Sequence, residues 1–311
     1  MQRAELDLDI VQTLADRIFP RAAHFTVERV AEGVSTHVYR VRRGAETFYL
    51  RVLPEADASF APEVRAHTLL RAHGVAVPEV IYFEHCNPVL QRSVMVTTEI
   101  PGSPVGRWAV ERDTREIVAA AGRDLAVINS LAVEGFGWIK RDRGEAPRLE
   151  AEHPTYQDFV HEYLEQDLAL LRERVLTARE VVLVREILAH FDPWLDVEQA
   201  VLAHGDFDVT HIYQRDGRYS GIIDFGEIRG GDPWYDLGHF RMCDSETLST
   251  LALPWLLEGY AAVHPLPADH ARRIGFASLL IAIRALAHRL DRYRYQQALV
   301  AIRRDIALLR A

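Results

Sequence analysis

The sequence predicts an α+β chain in two parts, strand-rich up to about residue 100 and mostly helical beyond it. Three observations predict this. Short apolar runs of strand length, Phe25–Val30, Val38–Val41, Phe48–Val52, Val80–Phe83 and Val94–Thr98, crowd into the first part. Long stretches with apolar residues at helical spacing fill the second. Between them, Ile100-Pro101-Gly102 breaks both patterns, which divides the chain into residues 1–100 and 101–311.

Within the first part, Leu6–Ile18 has helical period and reads as a leading helix. Glu63–Ala72 reads as a second helix, closed by the stop signal His73-Gly74. In the second part the period predicts helices over 111–133, 155–190, 246–263 and 268–309, with short strands near 201, 212 and 221. Glu145–His153, which contains Pro147, reads as a loop. There is no internal repeat and no low-complexity segment.

Composition bounds the function. A chain of 311 residues with 49% hydrophobic and 26% charged content can bury a sizeable core. The net charge of −9 argues against a general nucleic-acid binder. No apolar run reaches membrane-spanning length, and Met1–Asp7 lacks the apolar stretch of a signal peptide. Cys86 and Cys243 form no CxxC and read as reduced thiols of a cytoplasmic protein. Neither a nucleic acid nor a membrane is therefore the expected partner, and the chain is read as a monomer or dimer. Lys140 is the only lysine, so nearly all positive charge is arginine.

The chemistry concentrates in residues 201–236. His204-Gly205-Asp206 is followed five residues after the acid by His211, and a second acid opens Asp224-Phe225-Gly226. The apolar runs Val201-Leu202-Ala203 and Gly221-Ile222-Ile223 precede the two acids, and each reads as a buried strand delivering its acid to a strand end. Arg215-Asp216-Gly217 is a turn signal between them. Two acids and a polar ligand aimed at one point suit phosphoryl transfer, in which one carboxylate orients the attacking hydroxyl and another, with a neutral ligand, holds Mg²⁺ on the phosphates.

This order, HGDxxxxH, then IDFG, then Gly231-Asp232-Pro233 and Asp236-Leu237, resembles the aminoglycoside phosphotransferase family, relatives of the protein kinases. The resemblance implies a bilobal protein-kinase-like fold, with an antiparallel sheet plus helix in the N-lobe and a mostly helical C-lobe. It also implies Mg²⁺, ATP or GTP, and a small hydroxylated acceptor. The family commonly carries Asn where this chain has His211. On this reading Asp206 is the catalytic base, His211 and Asp224 hold the metal, and His204 and Asp236 support the loop. The blander readings are that Asp206 caps a turn and that His211 is a satisfied polar residue.

The resemblance extends to the N-lobe, where Glu32–Tyr39 joins two strands at the place of a phosphate-covering turn. Gly33, Ser35 and Thr36 are its candidate phosphate contacts, although a plain hairpin would read the same. Arg51 stands where kinases place a lysine, with Glu63 as its ion-pair partner on the following helix. Thr98, Glu99 and Ile100 should meet the nucleotide base, with adenine and guanine both open.

The acceptor is read as cationic, an aminoglycoside-type antibiotic. After residue 100 there are 32 acids against 25 bases, and Asp208, Glu227, Glu162, Glu165 and Asp167 fall where the family meets its acceptor. The alternatives are an ordinary solvated face, or a different acceptor such as an amino alcohol, a sugar or a macrolide. Two other classes stay open: metal-assisted hydrolysis by His204, Asp206, His211 and Asp224, and a catalytically silent nucleotide-binding protein.

Overall fold

The computed structural model describes residues 8–19, 25–30, 36–106, 111–142, 148–244, 247–248, 250–288 and 292–311. They fall into two compact units, Met1–Pro101 with Lys140–Leu149, and Gly102–Ile139 with Glu150–Ala311.

In the first unit, helix α1 (Leu8–Ile18) precedes strands β1 (Thr26–Arg29), β2 (His37–Arg43) and β3 (Glu46–Val52). Helix α2 (Ala61–Ala72) is followed by β4 (Val80–Glu84) and β5 (Val94–Thr98). The strands form one antiparallel sheet in the order β1-β2-β3-β5-β4. Period-two alternation assigns the faces. Phe48, Leu50 and Val52 pack with Val11 and Leu14 of α1, whereas Arg51, between them in β3, lies on the opposite face with Glu63 of α2. The segment after residue 140 joins this unit through the Ser59 N–H, which donates to the Arg141 carbonyl at 2.7 Å.

The second unit contains three further short strands than the sequence suggests near its start: β6 (Ser103–Pro104), then, after α3 (Glu111–Ile128), β7 (Ala132–Val133) and β8 (Phe136–Ile139). Next come β9 (Ala151–His153), α4 (Tyr156–Arg174), α5 (Ala178–Phe191) and β10 (Ala200–Ala203). The hairpin β11 (Ile212–Arg215) and β12 (Arg218–Ile222) leads to β13 (Arg229–Gly231). Helices α6 (Tyr235–Cys243), α7 (Leu253–Ala261), α8 (His270–His288) and α9 (Arg292–Arg310) complete it. One sheet runs β7-β10-β13-β8-β9 and another β12-β11-β6.

Several boundaries differ from expectation. The stretch 155–190 is two helices, because Thr177 and Glu180 form a capping box that starts α5 afresh. The stretch 268–309 is also two helices. Glu145–Pro147 lies outside the described residues, and the end of the expected loop is strand β9, paired with β8. No helix among the described residues is long and apolar enough to cross a membrane.

Candidate active site

Strand β10 ends at the fully buried Ala203, and the chain then turns through His204 and Gly205. Gly205 has φ +88°, and a Cβ there would lie 1.9 Å from the Glu227 carbonyl oxygen, so the turn requires glycine. Asp236, buried in the first turn of α6, ties this turn down. Its Oδ1 accepts the Gly205 N–H at 2.9 Å, and its Oδ2 accepts the His204 N–H at 2.8 Å. Asn129 completes the anchor: its Nδ2 donates to Asp236 Oδ2 at 2.9 Å and to the Leu202 carbonyl at 3.0 Å.

His204 links the two acidic segments. Its Nε2 donates to the Ile223 carbonyl at 2.9 Å, and its Nδ1 accepts the Asp206 N–H at 3.4 Å. Burial lowers its pKa below the ordinary histidine value, which fits the neutral tautomer this pattern demands. The ring meets Phe225 edge-on at 4.8 Å. His204 therefore ties together the backbone of the two acidic segments.

The Asp206 side chain is 36% exposed, and its Oδ1 lies 3.3 Å from His239 Nε2. His211 donates from Nδ1 to the Asp206 carbonyl at 2.6 Å, leaving Nε2 3.9 Å from Asp224 Oδ2. Asp224 adopts a left-handed conformation, φ 67° and ψ 65°, which turns its half-exposed side chain out of the strand path. Burial pushes the His211 pKa down, but the carboxylates of Asp208, Asp206 and Asp224 outweigh it and leave it raised. The two flanking 3₁₀ turns, Val209–His211 and Phe225–Glu227, set the spacing.

Among the described residues no group of three or more His, Cys, Asp and Glu side chains is arranged to hold a metal. His211 Nε2 and Asp224 form a two-donor set. Such a set fits Mg²⁺, which keeps several waters and takes other oxygens from substrate phosphates. A neutral His211 would be its nitrogen ligand.

The acids assigned to acceptor capture have other engagements. Asp208 is 5% exposed, and its Oδ1 accepts both the N–H and the hydroxyl of Thr210, at 2.7 and 2.5 Å. It caps the 3₁₀ turn and presents no surface to an acceptor. Asp167 is buried under Arg284 and His288, at 3.1 and 2.5 Å. Glu165 is held by both Arg185 Nη atoms at 2.6 Å, and Glu162 lies 3.1 Å from His153 Nε2. Glu227 sits 3.6 Å from Arg229, whose guanidinium is stacked 4.0 Å from the Trp138 ring centroid.

In the first unit, Arg51 Nη1 and Glu63 Oε1 form an ion pair, with side chains 12% and 1% exposed. The guanidinium carbon lies 5.2 Å from the Phe60 ring centroid. Thr36, just before β2, is buried, whereas Gly33 and Ser35 lie outside the described residues. Thr98 exchanges backbone and hydroxyl hydrogen bonds with Glu79, both at 2.9 Å. The Glu99 N–H donates to the Thr47 carbonyl at 3.2 Å, so it is not a spare donor for a base. Ile100 follows the end of β5 and is partly buried.

Three residues of this constellation are absent from the sequence reading. Asn129 follows the last turn of α3, where Asn commonly ends a helix, so a signal existed. His239 stands three residues after Asp236, the spacing that puts two side chains on one helix face. Arg229 carries no local signal, since its place between Trp138 and Tyr235 depends on strand pairing with β8.

Comparison with known proteins follows this geometry. The model of the phosphotransferase enzyme family matches residues 26–261. An aminoglycoside 3'-phosphotransferase from Enterococcus faecalis is 42% identical over 40 residues, which span 13% of this chain and 15% of that enzyme. A thermostable mutant of an aminoglycoside phosphotransferase, in ternary complex with ADP and hygromycin B, superposes with a TM-score of 0.66 at 18% identity, covering 96% of this chain and 98% of that one. A macrolide 2'-phosphotransferase from Brachybacterium faecium gives 0.62 at 21% identity, covering 95% and 97%. At these identities the two structures establish a shared kinase-like fold. The family model spans well over half of the sequence, and on that ground the chain belongs to the phosphotransferase enzyme family.

Proposed function

We propose that the chain is a Mg²⁺-dependent kinase that moves the γ-phosphate of ATP to a hydroxyl of a small molecule, and that an aminoglycoside-type antibiotic is the acceptor. One observation carries the phosphotransfer: Asp206, His211 and Asp224 are joined by one short network, the His211 ring bonded to the Asp206 carbonyl on one side and 3.9 Å from Asp224 on the other. In this reading Asp206 accepts the proton of the acceptor hydroxyl. The acceptor oxygen bonds to the γ-phosphorus as the bond to the β–γ bridging oxygen breaks, and ADP leaves. When bound, Mg²⁺ offsets the negative charge of the phosphates. Arg51, oriented by Glu63, spans phosphate oxygens with its planar fork in place of the usual lysine. Gly33, Ser35 and Thr36 cover the phosphates, and residues 98–100 meet the base.

The 40-residue match to an aminoglycoside 3'-phosphotransferase and the net charge of −9 support a cationic acceptor. The engagement of Asp208, Asp167 and Glu165 in local pairs favours a second reading, in which the acceptor is a neutral hydroxylated molecule such as a sugar.

A screen of aminoglycosides, macrolides and small hydroxylated metabolites with Mg-ATP and Mg-GTP tests both. The expected best acceptor is a polyamine whose KM rises as salt goes from about 0.05 to 0.5 M. A neutral best acceptor with a salt-indifferent KM would move the acceptor class and leave the phosphotransfer intact. Asp206→Asn should lower turnover about 10²–10⁴-fold while nucleotide affinity holds. Turnover above about a tenth of wild type would remove Asp206 from the role of base.

A further inference from the structure

We infer that His239 is a positioning residue for the Asp206 carboxylate. The inference rests on the reading of Asp206 as the base. It starts from α6, which supplies two inward side chains one turn apart. Asp236 holds the backbone of residues 204 and 205. His239, three residues on, reaches the next part of the same loop with both ring nitrogens.

The ring is 8% exposed, so its polar atoms need partners inside the protein. Nδ1 lies 3.1 Å from the Phe207 carbonyl, and Nε2 lies 3.3 Å from Asp206 Oδ1. Both neighbours are oxygen acceptors. A neutral imidazole donates to only one of them, and a doubly protonated ring donates to both. A proton carried at Nε2 would offer Asp206 Oδ1 a donor at that distance.

The geometry separates the two carboxylate oxygens of Asp206. Oδ1 faces the buried ring, and the side chain as a whole is 36% exposed. A carboxylate on a turn otherwise rotates about its χ2 bond, which is broad and two-fold. A buried donor on one oxygen fixes the plane of the group and so fixes where the proton-accepting lone pair points. Preorganised orientation of this kind matters for a late proton transfer, because a displacement of about 1 Å can cost on the order of 10²-fold in rate.

The packing behind His239 supports a fixed ring. The preceding residue on the helix, Gly238, lies so close to α8 that a Cβ would meet Ala277 Cβ at 2.7 Å. The following residue, Phe240, is fully buried and stacks near Phe207 at 5.9 Å between ring centroids. Helix α6 is thereby pressed between α8 and the loop, and its side chains hold a set distance from Asp206.

Two substitutions split the ring's two contacts. His239→Asn places an amide near the Nδ1 position and keeps a donor to the Phe207 carbonyl. His239→Gln places its amide near the Nε2 position and keeps a donor to Asp206. Turnover is measured on the acceptor returned by the compound screen and on the slow hydrolysis of Mg-ATP by water. Side-chain ¹⁵N spectra of the full chain labelled at histidine give a readout that needs no acceptor.

The expected result is that His239→Gln stays within about threefold of wild-type kcat, and that His239→Asn loses roughly 10- to 100-fold in kcat with nucleotide affinity unchanged. Asp206→Asn should shift the Nε2 resonance of His239. Wild-type kcat in a folded His239→Asn, or an unmoved Nε2 resonance, would overturn the inference. If both His239 variants fail to fold, the ring is a packing element and the inference falls as well. An active Asp206→Asn would bring down the underlying reading, whereas an inactive Asp206→Asn beside an unaffected His239→Asn would bring down this inference alone.

Discussion

Asp236 Oδ1 accepts the backbone N–H of Gly205 at 2.9 Å, a bond that joins the first turn of α6 to the turn after β10. The same carboxylate accepts the His204 N–H and the Asn129 amide, with no exposure to solvent. A buried anion satisfied by three donors is stable, but its removal strands those donors. Asp236→Ala should therefore lower unfolding free energy by about 3–5 kcal/mol in denaturant titration. Asp236→Asn should cost less, since it loses acceptance at one oxygen only. A wild-type denaturation midpoint for Asp236→Ala would show that the turn is held elsewhere.

The Arg51–Glu63 pair predicts an asymmetry. Glu63 is 1% exposed and Arg51 12%, so the more deeply buried carboxylate is the worse remnant. Arg51→Ala should destabilise more than Glu63→Ala, raise the nucleotide KM and lower turnover. Arg51→Lys should recover part of each, because the charge returns without the two-point fork. A double-mutant cycle on thermal unfolding measures the coupling; additive effects would mean that the contact carries no stability.

Asp232 should leave a signature in the pH dependence of stability. Burial pushes its carboxyl up to about 7, against an opposing pull from the backbone N–H groups of Trp234 and Tyr235. An unfolded Asp ionises near about 3.9, so the folded state binds the proton more tightly. Stability attributable to this group is present at low pH and lost as pH rises towards 7. Asp232→Asn should thus gain Tm relative to wild type between about pH 4 and 7, then hold a constant lead above it, worth on the order of 2–4 kcal/mol. A Tm difference that ignores pH would contradict the ionisation of Asp232.

His211→Asn should keep most activity, and Asp224→Ala should lose Mg²⁺-dependent nucleotide binding. The amide of Asn can donate to the Asp206 carbonyl as Nδ1 does, while its oxygen, set nearer the backbone than Nε2, offers a donor atom that suits Mg²⁺. Isothermal titration with Mg-ATP reads both. A folded but inactive His211→Asn would assign the ring a task other than metal ligation.

The sequence made the first unit legible because its strands alternate: Phe48, Leu50 and Val52 mark one face of β3, and Arg51 the other. It read through the start of α5, although Thr177 and Glu180 spell a capping box, because the helical period resumes immediately after. Strand β8 was hidden for another reason. Phe136–Ile139 is short, carries a glycine and owes its form to pairing with β13, some ninety residues on. The positions of Asp206, His211 and Asp224 followed from two apolar runs and a turn signal. Asp208 did not, because spacing aims it at the same point while Asx-turn chemistry folds it back onto Thr210. Spacing puts His239 on the helix face of Asp236, but its approach to Asp206 needed the tertiary closure of α6 onto the loop.

That inward turn of Asp208 bears on how such a protein could change its diet. Residues 204–211 spend their polar groups on one another and on α6: Asp208 on Thr210, His211 on Asp206, His204 and Gly205 on Asp236. A loop so occupied with itself is a sealed cartridge, indifferent to what is fed to it. Selection for a new acceptor would then rework the outward faces of neighbouring helices, where Glu165 pairs with the exposed Arg185, and leave this loop untouched.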